Sequence, residues 1–187
     1  MAAPASHSLP GLRRIVTAHD EEGLSIVESN AVLPTEKMEL VPGARGCGIW
    51  VTTDSIPTND TNLREDGAKR NLDPEHNFGL VHPEGTNLRC TDLAPGGITP
   101  MHRTSSLDYN ILVQGEIVLI TEDGVETHLK NPGDTVVQKG TMHAWRNPGK
   151  TWARWISVLM AATPATVDGV ELQPELKPYG PSGPHTH

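Results

Sequence analysis

The feature that most constrains this chain is a rhythm between residues 95 and 160, where short β-prone runs alternate with sequences built for tight turns. The runs span 98–102, 108–113, 116–121, 125–129, 134–138, 143–146 and 153–160, with Val, Ile, Leu, Thr and Trp prominent among them. Between them stand Gln114-Gly115, Glu122-Asp123-Gly124, Asn131-Pro132-Gly133-Asp134 and Asn147-Pro148-Gly149-Lys150, whose residues accept turn backbone angles and can reverse an antiparallel pair. Gaps this short leave no room for crossover helices, so the strands must close on one another as a sandwich or barrel. An all-β chain follows, with no helix longer than a turn or two.

At 187 residues the chain suits one core, and its 18 glycines and 16 prolines fit a turn-rich fold better than a helical bundle. Further strand character lies at 24–28, 48–53 and 87–93. Residues 57–84 are polar and rich in turn formers, and read as a long excursion between strands, either a lid or an arm reaching a partner. One domain is expected over 11–172, with its dense part at 95–162. Residues 1–10 and 173–187 carry too little apolar surface to bury much and read as tails or peripheral straps.

The net charge of −8 argues against nucleic-acid binding, which needs clustered Lys and Arg. Cys47 and Cys90 are the only cysteines, too few for a disulfide framework and too far apart for a zinc knuckle, so both are expected as ordinary buried thiols. No run approaches the roughly 20 apolar residues of a membrane span, and the first residues lack the apolar core of a secretory signal. A cytoplasmic protein with no membrane partner is the expectation.

Side chains that share one ion in a β-barrel must sit two apart on a strand or on neighbouring strands. His102 and Asp108 meet this if the strand of Asp108 adjoins that of His102, and His143 supplies a third donor. A buried histidine is more often a hydrogen-bonded core residue than a ligand. Asp108 has two further readings: a carboxylate satisfied by backbone groups at a strand start, or a general acid or base whose pKa is raised by burial or lowered by a cation.

The segments Gly96–Gly115 and Gly133–Asn147 together resemble the paired motifs of the cupin superfamily. The first motif carries a glycine, a His-x-His pair, a glutamate and a closing glycine; Gly96, His102, Asp108 and Gly115 stand in that frame. The second carries Gly-Asp, Pro-x-Gly, His and Asn, matched by Gly133-Asp134, Gly140, His143 and Asn147. Three positions depart: Thr104 replaces the second histidine, Asp108 the glutamate and Gln138 the proline. The His-Arg-Thr and Ser-Leu-Asp-Tyr runs, followed by Gly-Thr-x-His-Ala-Trp, are similar to a group of small cupins found in bacteria and in fungal secondary-metabolite clusters.

The resemblance implies a double-stranded β-helix, or jelly-roll barrel, with added N-terminal strands, and a homodimer exchanging those strands. It also implies a divalent ion on His102, Asp108 and His143. Two imidazoles and a carboxylate are the facial set of non-haem iron, and Zn, Mn, Ni or Co can occupy the same donors. Strand alternation puts Asn110 and Leu112 on the face of Asp108, and Trp145 and Asn147 on the face of His143. With the Thr104 hydroxyl, these are the expected walls of a small-molecule pocket. Trp50, Trp152 and Trp155 read as core or interface. The leading function is a metal-dependent oxidoreductase or oxygenase acting on a small phenolic or polyketide-like metabolite. The alternatives are a metal-dependent lyase or isomerase in which Asp108 moves protons, and a non-catalytic ligand-binding barrel.

Overall fold

A computed structural model describes residues 6–179. The strands run in chain order as β1 (Leu12–His19), β2 (Ser25–Leu33), β3 (Glu36–Lys37), β4 (Ala44–Thr52), β5 (Thr86–Leu93), β6 (Met101–Arg103), β7 (Ser106–Gln114) and β8 (Ile117–Thr121). They continue as β9 (Glu126–Leu129), β10 (Thr135–Lys139), β11 (His143–Arg146), β12 (Ala153–Ala161), β13 (Thr166–Val167), β14 (Val170–Glu171) and β15 (Glu175–Lys177). The helical content of the described residues is three single 3-10 turns, all in the 57–84 excursion. No helix among them is long and apolar enough to cross a membrane.

Two antiparallel sheets face each other as a jelly roll. One has the order β10-β7-β12-β5-β4-β3 and the other β15-β6-β11-β8-β9. The turn sequences do the work expected of them: Gly115 takes a φ of 81°, and a Cβ there would come within 2.9 Å of Ala153 Cα. Only glycine meets both demands. The apolar core between the sheets gathers Val41, Ala44, Leu93, Leu112, Ile117 and Trp155 from both walls.

The β1–β2 hairpin forms a sheet of its own and exposes Ile15, Val27 and Val32. It meets the excursion through Arg14, which donates to both carboxylate oxygens of Asp66 at 2.6 and 2.7 Å. The guanidinium groups of Arg14 and Arg70 lie over the Trp50 ring, 5.8 and 5.9 Å from its centre. Cys47 and Cys90 are paired residues on β4 and β5, and both thiols are free.

Where the ends are described they lie as straps against the sheets rather than as free tails. Trp152 Nε1 donates to Ser6 O at 3.1 Å, Arg154 Nη1 donates to Pro10 O at 2.8 Å, and Leu9 is buried against Ala94 and Trp152. At the other end, β15 pairs with β6, placing Leu176 opposite His102. Both segments cover sheet surface that a 95–162 core leaves open, which a reading of their own sparse apolar content misses. Residues 1–5 and 180–187 of the expected tails lie outside the described residues.

Candidate active-site cavity

The inner faces of the two sheets enclose a cavity of about 130 Å³. A cavity near this size accommodates one benzene ring. The six-stranded sheet contributes three successive rows, because Trp155, Ser157 and Leu159 of β12 are flanked in register by β7 and β5: Leu112 and Thr91, Asn110 and Arg89, Asp108 and Asn87. Of these, Thr91, Arg89, Asp108, Asn110 and the three β12 residues line the cavity. The five-stranded sheet contributes His102, His143, Trp145 and Leu176. Phe78 and Leu80, from the end of the excursion, reach the same space. Asn77, Phe78 and Gly79 all have positive φ, at 48°, 59° and 66°, and Asn77 Oδ1 accepts from Ser105 N at 2.8 Å. A left-handed run containing a phenylalanine is backbone strain held in place by its surroundings.

His102 and His143 are Cα partners on β6 and β11, with ring centres 4.3 Å apart. His102 Nδ1 lies 3.0 Å from Pro100 O, and His143 Nδ1 lies 2.9 Å from Thr141 O. A carbonyl oxygen only accepts, so each Nδ1 carries the proton and each Nε2 keeps its lone pair. Burial pulls both imidazoles below the ordinary histidine pKa, that of His143 to about 3, helped by the neighbouring His102. Both rings are therefore neutral near pH 7.

Asp108 faces this pair from the other sheet. The two residues between Arg103 and Ser106 turn the chain from one sheet into the other, so β7 is not the neighbour of β6 that the sequence reading assumed. Facing sheets stand about 10 Å apart. Among the described residues no group of three or more His, Cys, Asp or Glu side chains is placed to hold one ion. His102, His143 and Asp108 nonetheless line one cavity from its two facing walls, the imidazoles with Nε2 lone pairs and the carboxylate with Oδ1 free of a partner. Asp108 is 4% exposed, and its Oδ1 is buried with no hydrogen-bond partner. Burial pushes its carboxyl up to about 6, against the opposing pull of a hydrogen bond from Ser106.

The sequence profile of the Cupin domain family matches residues 90–159. The chain is 35% identical over 177 residues to Phomopsin biosynthesis cluster protein D of Diaporthe leptostromiformis, covering 90% of each chain. It is 32% identical to Oryzines biosynthesis cluster protein J of Aspergillus oryzae, over 92% of this chain and 95% of that one. It is also 30% identical to the Cupin-domain-containing oxidoreductase fogC of Aspergillus ruber, over 89% of this chain and 82% of that one. The chain is a cupin.

In this cupin the motif positions divide between cavity and scaffold. His102, His143, Asp108, Asn110, Trp145 and Thr104 all line the cavity, and Thr104 shares a hydrogen bond with Ser106 at 2.8 Å. Leu112 and Asn147 do not, correcting two expected wall residues. Leu112 is packed in the core row beside Trp155. Asn147 is fully buried: its Nδ2 donates to Leu93 O and Thr151 O at 2.9 and 2.8 Å, and its Oδ1 accepts from Gly149 N at 2.9 Å, which fixes the turn after β11. Arg89, Trp155 and Ser157 were not anticipated in the cavity. Alternation along Trp155-Ile156-Ser157-Val158-Leu159 carries the signal for two of them, since every second residue of that run faces inward.

Proposed function

We propose that this cupin is a small-molecule enzyme whose chemical step is proton transfer at a carbon beside a carbonyl, as in isomerases, lyases and cyclases, with Asp108 as the proton carrier. The observation that carries the reading is the Asp108 carboxyl, buried in the cavity wall with Oδ1 unpaired and its pKa near 6. Such a group is a carboxylate base close to neutrality and a competent acid once protonated, the balance that general acid–base catalysis favours. Asn110 Nδ2, buried without a partner one row away, is a donor for the oxygen on which charge develops. Trp145 and Trp155, with ring centres 5.8 Å apart, supply apolar faces for a planar substrate and exclude water.

The test is hydrogen exchange at carbon. Phenylacetone incubated with the protein in D₂O should exchange its benzylic protons, read by ¹H NMR, and Asp108→Asn should slow that exchange by about 100-fold. Equal rates for parent and variant would contradict the assignment.

A second reading takes the oxidoreductase activity in the names of relatives such as fogC and places a divalent ion in this cavity, with Fe, Zn, Mn, Ni or Co as candidates. The Nε2 lone pairs of His102 and His143 and the buried, unpaired Oδ1 of Asp108, all facing one cavity, are the groups that would hold the ion, and no reaction step is drawn through it. Elemental analysis after metal-replete expression separates the two. Stoichiometric metal lost in His102→Gln supports the second reading, and a metal-free protein that still catalyses exchange supports the first.

A further inference from the structure

Three arginines with buried side chains each face a carboxylate: Arg14 with Asp66, Arg70 with Asp60, and Arg154 with Asp92, at 2.6 to 2.8 Å. Arg89 lines the cavity and has no such partner among the described residues. Its hydrogen-bond contact there is Met38 Sδ, 3.8 Å from Nη2, a weak acceptor. A half-buried guanidinium without a carboxylate partner is free to meet a counter-charge that enters the cavity.

The surroundings make a place for this side chain. A Cβ on Gly46 would lie 3.0 Å from Cys90 O, 3.2 Å from Arg89 Nη2 and 3.4 Å from Met38 Sδ, so the bare glycine is what lets the guanidinium lie along β4. Ser157 is the register partner of both Arg89 and Asn110, which puts the three residues in one row across β5, β12 and β7. Ser157 Oγ donates to Asn110 Oδ1 at 2.6 Å, which orients the amide and leaves Nδ2 as a buried donor with nothing to meet. The row therefore offers N–H donors on both sides of Ser157 and no protein anion to accept from them.

We propose that Arg89 and Asn110 form the carboxylate-binding end of the cavity, and that the substrate is a small carboxylate with an apolar body about the size of one ring. This rests on reading the cavity as a substrate site. Arg89 supplies a two-pronged, charge-assisted grip, and Asn110 a neutral donor that fixes the tilt of the bound group. The positive charge is felt across the cavity: after burial, Arg89 is among the causes that lower the His102 pKa. A carboxylate docked here has its α-carbon within the same small cavity as Asp108.

Calorimetry with benzoate and its neutral isostere benzamide tests the assignment. The parent should bind benzoate at least tenfold tighter than benzamide, since the pair differ chiefly in charge. Arg89→Met should abolish that preference while keeping the parent's circular dichroism and melting behaviour, which shows the fold intact. Arg89→Lys, which keeps the charge and covers the case of a misfolded Met variant, should retain a reduced preference. Equal binding of the two probes by the parent would overturn the proposal, as would an undiminished preference in Arg89→Lys and Arg89→Met. Asp108→Asn should bind benzoate at least as tightly as the parent. A retained benzoate preference in a protein that catalyses no carbon exchange would overturn the proton-transfer reading and leave the carboxylate site standing. Binding of neither probe would overturn the substrate cavity and this proposal with it.

Discussion

His102 and His143 sit opposite each other on β6 and β11, and each ring donates Nδ1–H to the carbonyl two residues before it, Pro100 O and Thr141 O. This repeated contact fixes two neutral imidazoles side by side in a buried wall. The folded-state pKa of His143, about 3 against an ordinary 6.5, lies below the unfolded value. The unfolded chain thus binds more protons across that window, and stability present above about pH 6.5 is lost as pH falls toward 3. At about pH 4.5 the loss from His143 alone should be about 2–3 kcal/mol. Urea denaturation at a series of pH values checks it: His143→Gln should flatten the acid limb, and an unchanged slope would contradict the neutral, buried ring.

Asp108 has the opposite sign. Its carboxyl is raised from 3.8 to about 6, so the native state holds a proton that the unfolded chain has released, and stability declines as pH rises through this range. Asp108→Asn, which cannot ionise, should match the parent below about pH 4 and exceed it by about 2–3 kcal/mol at pH 8. Chemical denaturation at the two pH values measures the difference. A variant less stable than the parent at pH 8 would mean that the carboxylate is held by a partner.

Asp92 joins the N-terminal segment to the six-stranded sheet. Arg154 grips it through Nε and Nη2 at 2.6 and 2.8 Å, and His7 Nε2 lies 2.8 Å from its Oδ2, all on a carboxylate with no exposed side-chain surface. Asp92→Ala strands the Arg154 guanidinium in the interior and should cost about 3–5 kcal/mol. Arg154→Met in the same chain should recover part of that loss. Thermal or urea melts of the single and double variants decide, and simple additivity of the two losses would contradict the pairing.

Gly46, on β4, does not line the cavity and is predicted to act on it through Arg89. Gly46→Ala crowds the guanidinium and the carbonyl of Cys90. The expected result is a modest destabilisation of about 1–3 kcal/mol, with a shrunken preference for benzoate over benzamide. Wild-type selectivity in that variant would show that Arg89 reaches its place without the glycine.

The turn chemistry and alternation from Pro95 onward were enough to place β6 through β12 within a few residues, because strands this short are bounded by Gly, Pro and Asn rather than by long-range contacts. The paired motifs likewise located His102, Asp108 and His143 on the cavity. What alternation along single strands does not encode is which sheet each strand joins. The Thr104-Ser105 corner moves Asp108 across the barrel from His102, and no local signal separates a hairpin from such a crossing. β1 does not read as a strand because Leu12–His19 lacks a polar–apolar alternation, with Arg14 rather than an aliphatic side chain facing in. Arg89 was invisible as a site residue because its meaning lies in the partner it lacks, and pairing is a property of the folded sheet.

The account depends most on the state of one carboxyl. Asp108 Cγ, observed by ¹³C NMR in protein labelled at aspartate and assigned with Asp108→Asn, should titrate with a midpoint close to pH 6, well separated from aspartates such as Asp54 and Asp123, which hydrogen bonds hold below the ordinary value. A midpoint at or below 4 would mean a carboxylate satisfied in the wall, and would contradict its role as the proton carrier.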